Sequence, residues 1–169
     1  KYLAGLLFLG LLLIIPFTEY RIIFRKKMFW TGLVSGFLIF LPNLLWQFNR
    51  GFPVFNHITE LYDTQLIHMD IRLFFTEQLI MPFAATILTI SGLIFLLSNK
   101  KVRKFRFLGL LALFVIIALM ILKGKSYYTL GIFPLLIASG AVSYDNWFKK
   151  RWVRGLFPII LVILTLPVS

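Results

Sequence analysis

The chain has 169 residues, of which 60% are hydrophobic, 17% aromatic and only 14% charged, with a mean hydropathy of +0.91. Soluble domains are about half apolar and about one quarter charged, so this composition all but excludes a water-soluble globule. The formal net charge is +12, from 18 Lys and Arg against 6 Asp and Glu, which points to nucleic acid or an anionic surface until the charges are placed along the chain. There is no cysteine, so disulfides, thiolate metal sites and cysteine nucleophiles are excluded.

In chain order, six stretches contain no Lys, Arg, Asp, Glu or His: 2–18, 28–49, 78–99, 107–122, 126–144 and 155–169. A spanning helix needs roughly 20 apolar residues, because about 30 Å of hydrocarbon is crossed at 1.5 Å per residue. Runs such as Leu6-Leu7-Phe8-Leu9 lack the alternation of a barrel strand. The expected fold is therefore an all-α membrane protein, a polytopic bundle of about six transmembrane helices with one long outer loop over 50–77. Apolar runs follow Lys1 at once and continue to Ser169, so the chain reads as a piece of a longer membrane protein.

The connections alternate in charge. Those at 21–27, 100–106 and 145–154 hold 13 Lys and Arg together, whereas those at 50–77 and 123–125 hold 4. Cytoplasmic loops carry the excess of Lys and Arg, which predicts that the three basic connections face the cytoplasm and the other two face outward, in a plasma (inner) membrane. Most of the charge then becomes an orientation signal and an attraction for anionic lipid. No nucleic-acid module surrounds it.

Two polar clusters remain, both on the predicted outer side. In the long loop, a short helix over 56–66 puts His57 and Glu60 at i and i+3, on one face. That pair would suit a metal with His68 or Asp70 as further ligands, a polar cover folded over the bundle mouth, or the lining of a substrate cleft. The second cluster is Lys123-Gly-Lys-Ser-Tyr-Tyr128. Its two lysines run against the charge asymmetry. Lys123 and Lys125 would bind an anionic phosphate, with Tyr127 and Tyr128 at interfacial depth beside them. The alternative is that the lysines only snorkel from helix ends and the tyrosines form an aromatic belt.

Three segments give a family likeness. They are Lys1-Tyr2 opening an apolar helix, the stretch Leu41-Pro-Asn-Leu-Leu-Trp-Gln-Phe-Asn-Arg-Gly-Phe-Pro-Val-Phe-Asn-His57 followed by Glu60-Leu61, and Lys125-Ser-Tyr-Tyr-Thr-Leu-Gly-Ile-Phe-Pro-Leu-Leu136, with Glu77-Gln78 and Pro82 between. In order and spacing the chain resembles the dolichyl-phosphate-mannose protein mannosyltransferase-like glycosyltransferases, which have the GT-C fold. The resemblance implies transfer of a sugar, with inversion, from a polyprenyl-phosphate-linked donor to a lipid or protein acceptor on the outer side. It implies Lys123, Lys125, Tyr127 and Tyr128 at the donor phosphate and lipid, and His57, Glu60 and Gln78 around the cleft. The family's catalytic acid belongs to an outer loop upstream of Lys1, so no catalytic residue is assigned here. No cofactor is fixed, and a divalent cation at the phosphate stays open. The alternatives are a multi-pass transporter or lipid-flippase core and a non-catalytic membrane scaffold.

Overall fold

The computed structural model describes residues 3–66, 70–148 and 150–165; Lys1, Tyr2, His68 and Lys149 fall outside them. Every regular element among the described residues is helical. The chain forms two compact units, Lys1–Ile14 with Asp70–Ser169, and Ile15–Met69.

The larger unit contains α1 (Leu3–Ile14), α4 (Ile71–Ile80), α5 (Thr86–Ser98), α6 (Arg106–Ile121), α7 (Phe133–Trp147) and α8 (Arg151–Thr165). Its core is the α5–α7 pair. A methyl group added at Gly92 would overlap the Leu136 carbonyl oxygen, and one at Gly140 would overlap the carbonyl oxygen of Leu88. The two backbones therefore touch, as membrane helices do where small residues leave room. Around this contact Leu88, Phe95, Leu96 and Leu136 are buried. Gly10 of α1 likewise leaves space for the Phe114 ring and Leu111 of α6.

The predicted span 78–99 is broken. α4 begins earlier, at Ile71, because the Asp70 carboxylate accepts a hydrogen bond from the Arg72 backbone N–H at 2.8 Å and caps it. It stops at Met81-Pro82, and Phe83 takes a left-handed φ of +45°, so α4 and the helix beyond it meet at 93°. The break is mended locally: the Thr86 hydroxyl lies 2.6 Å from the carbonyl oxygens of both Leu79 and Phe83, groups that a continuous helix would have bonded internally. Much of the expected loop 50–77 is thus helical.

The smaller unit holds α2 (Lys27–Asn49) and α3 (Pro53–Leu61). Its basic segment forms a 3-10 helix, Glu19–Arg25, whose last turn is tied to α2 by the Trp30 indole N–H donating to the Phe24 carbonyl at 2.8 Å. The most apolar window of α2 has no buried residue. At its end, Gly51 and Phe52 both adopt left-handed conformations. The Phe52 N–H donates to the Gln47 carbonyl at 2.7 Å, and Pro53 then opens α3.

Three helices are long and apolar enough to cross a membrane, Lys27–Asn49, Lys100–Ile121 and Ser126–Trp147, and up to five do if each of two bent pairs is one span. The apolar part of α8, Trp152–Leu164, is shorter. The protein is a multi-pass, all-α membrane protein.

Candidate functional site

α6 ends at Leu122 in a Schellman motif. The Gly124 N–H donates to the Leu119 carbonyl at 2.7 Å and the Lys123 N–H to that of Met120 at 3.2 Å. Glycine normally occupies the left-handed position of this motif, but here Lys123 does, at φ +51°. Gly124 follows because a methyl group there would meet the Leu119 side chain at 2.8 Å. A Cβ in the left-handed region costs about 1 kcal/mol, so Lys123→Gly is expected to raise the unfolding free energy by about that amount, measured by thermal unfolding in detergent. A fall in melting temperature would contradict the motif.

Lys125 turns the chain into a 3-10 helix, Ser126–Ile132. Seven residues is long for this geometry, in which side chains at i and i+3 eclipse. Pro134 accounts for it: its ring would collide with the Leu130 carbonyl in an α-helix. The eclipsed pair is Ser126 and Thr129, both buried, Thr129 completely. Two neighbours on α4 meet them. The Ser126 hydroxyl donates to the Glu77 carboxylate. The Gln78 amide N–H donates to the Ser126 carbonyl at 3.2 Å, and its oxygen lies 2.6 Å from the Thr129 hydroxyl. That hydroxyl is also 2.7 Å from the Ser126 carbonyl. Four polar side chains thus clamp the 3-10 turn to α4.

Lys125 directly precedes the clamped turn, its ammonium 5.9 Å from the centre of the Tyr127 ring. Tyr127 and Tyr128 meet edge to face at 4.7 Å, and Tyr127 is exposed. Two lysines against the single carboxylate of Glu77 leave the cluster cationic. A phosphate oxygen would be held there by a compact charge with three donors.

The structure therefore joins Gln78 to the Lys125 cluster, gives that cluster's Ser126 a partner in Glu77, and adds Thr129. Glu77, Ser126 and Thr129 were legible only in part: adjacent Glu and Gln between apolar residues, and a Ser-x-x-Thr spacing, were the available signals. His57 and Glu60 lie on α3 of the smaller unit, both exposed, and among the described residues no hydrogen bond joins them. No group of three or more His, Asp or Glu able to hold a metal ion occurs among the described residues; His68, the further ligand considered, lies outside them. Asp70 is engaged as the cap of α4. No family model, no curated protein sequence and no solved structure matches the chain.

Proposed function

We propose that this chain is the membrane domain of a glycosyltransferase that moves a sugar from a polyprenyl-phosphate-linked donor to a lipid or protein acceptor on the outer side of a plasma (inner) membrane. The basic connections would be cytoplasmic, and the full count of six crossings would use both bent pairs and α8. The observation that carries the reading is the clamp. Glu77, Gln78, Ser126 and Thr129 hold a turn that presents Lys125, with Tyr127 and Tyr128 beside it. In the transfer, the bond between the anomeric carbon and the phosphate oxygen breaks and the phosphate leaves with the electron pair. A preorganised cation at that oxygen is worth more in the transition state than in the ground state. The two tyrosines offer an amphipathic surface to the head group and the first prenyl units. The base that activates the acceptor is assigned to no residue of this chain.

Lys125→Gln is expected to lower kcat for sugar transfer by about 100-fold in membranes supplied with a radiolabelled polyprenyl-phosphate sugar, the size seen when one preorganised donor is removed. Lys125→Arg should retain part of the rate. Unchanged turnover in Lys125→Gln would overturn the assignment.

A second reading has one observation in its favour. The 93° break between α4 and the helix after it puts Glu77 and Gln78 one turn from a discontinuity, and transporters build midplane sites from broken helices. Substrate flux into vesicles without sugar transfer would favour it.

A further inference from the structure

We infer that the basic end of the α5–α6–α7 bundle seats an anionic phospholipid, its hydrocarbon in an apolar groove and its phosphate on the 100–106 segment. The groove has a volume of about 250 Å³ and is walled by Phe95 and Leu96 of α5, Val102 and Phe105 of the connection, Leu108 of α6 and Val142 of α7. The only hydroxyl at its wall, Ser139, is turned away, donating to the Leu135 carbonyl at 2.9 Å. The cavity therefore offers no polar partner and fits a hydrocarbon segment.

The connection that closes the groove also carries the charge. Asn99 ends α5 in an extended conformation, and its side chain accepts from the Lys101 N–H at 2.9 Å, starting a 3-10 turn over Lys100–Phe105. Val102 leaves helical geometry (φ −107°, ψ 20°). With this kink Val102 and Phe105 wall the groove, while Lys100, Lys101, Arg103 and Lys104 stay exposed. Apolar and cationic surfaces are therefore adjacent, and one contact bridges them: the Lys104 ammonium lies 5.0 Å from the centre of the Phe105 ring. Arg106, next in sequence, has its Nε buried without an acceptor among the described residues. The acid closest in sequence to Val142, Asp145, is already paired with Arg154 at 3.0 Å. The connection thus places five basic residues in seven positions at the rim of an apolar groove, at the end of membrane helices where lipid phosphates lie. A nucleic acid would match the charge but leave the groove empty. A neutral lipid would match the groove but not the charge.

The test is lipid titration of the purified protein by native mass spectrometry, comparing dioleoyl-phosphatidylglycerol with dioleoyl-phosphatidylcholine. Phosphatidylglycerol is expected to bind at least about tenfold more tightly, and Lys101→Gln/Lys104→Gln to remove most of that preference. Val142→Trp fills the groove with every basic residue in place and should abolish the preference as completely. Retained preference in Val142→Trp, with a monodisperse elution profile, would mean charge attraction without a seat and would overturn the proposal. Equal binding of the two lipids by the unaltered protein would overturn it too, as would release of phosphatidylglycerol by oligouridylate or by inorganic phosphate at equal concentration. The two-lysine variant changes only exposed side chains, so an undiminished preference in it would overturn the proposal even where Val142→Trp fails to fold.

Discussion

Gly140→Ala is expected to separate α5 from α7 and to cost about 3 kcal/mol or more, the upper range for an atom forced into a packed core. The added methyl group would lie 2.7 Å from the Leu88 carbonyl carbon and 2.9 Å from its Cα. These are backbone atoms of a helix and cannot swing aside as a side-chain end would. Gly92→Ala meets the Leu136 carbonyl and the Gly140 nitrogen from the other side, so the two substitutions strain one contact and should not add. Gly36→Ala on α2 is the control: nothing lies within 4 Å of its added methyl group, and alanine is the better helix former by about 1 kcal/mol. Thermal unfolding in detergent checks all three. A Gly140→Ala protein melting with the unaltered one would mean that the backbones do not touch.

This contact also marks where reading the sequence stops. Apolar length alone located α2, α6 and α7, because a helix that must satisfy its backbone in lipid needs a long neutral run. It did not reveal which faces pair, since lipid-facing and protein-facing residues are equally apolar. Gly92 and Gly140 look no different in the sequence from Gly32 and Gly36. The break after Ile80 was hidden for a related reason. Prolines at 42, 82 and 158 all lie in apolar stretches, yet Pro42 and Pro158 sit inside continuous helices. What separates Pro82 from them is the left-handed Phe83 beside it and the Thr86 hydroxyl that takes up the freed carbonyls. The charge-free stretch 78–99 also omits the start of α4, although Asp70 is an ordinary helix cap.

The same applies to the candidate site. Lys125 and its tyrosines stand out because Lys and Arg are scarce in the connections 50–77 and 123–125, and Gln78 because it opens a neutral stretch. Glu77 belongs to the expected loop and to the likeness, and Ser126 to the Lys123–Tyr128 cluster, but the sequence assigns no role to either of them or to Thr129. The 3-10 geometry eclipses Ser126 and Thr129, and the early start of α4 brings Glu77 and Gln78 to them. His57 and Glu60 lie on one helix, Pro53–Leu61 and not the expected 56–66, but an exposed face by itself selects no ligand.

Thr129→Val is therefore expected to be the most damaging isosteric change at the site. Valine keeps the volume of threonine but leaves the buried contacts of the hydroxyl to Gln78 and to the Ser126 carbonyl unmade, at a cost of about 1–3 kcal/mol. Gln78→Leu should cost less, since the Thr129 hydroxyl and the Ser126 carbonyl then still have each other as partners at 2.7 Å. The two residues share a hydrogen bond, so a double-mutant cycle should return a coupling of about 1 kcal/mol or more; additive losses would mean that the clamp does not act as a unit. If the clamp serves to hold Lys125 toward a departing phosphate, Thr129→Val must also lower kcat for transfer at temperatures where the protein remains folded, with KM for the donor changed less. That pattern separates positioning from stability, because a merely structural threonine would lower the melting temperature and leave the turnover of the folded fraction intact.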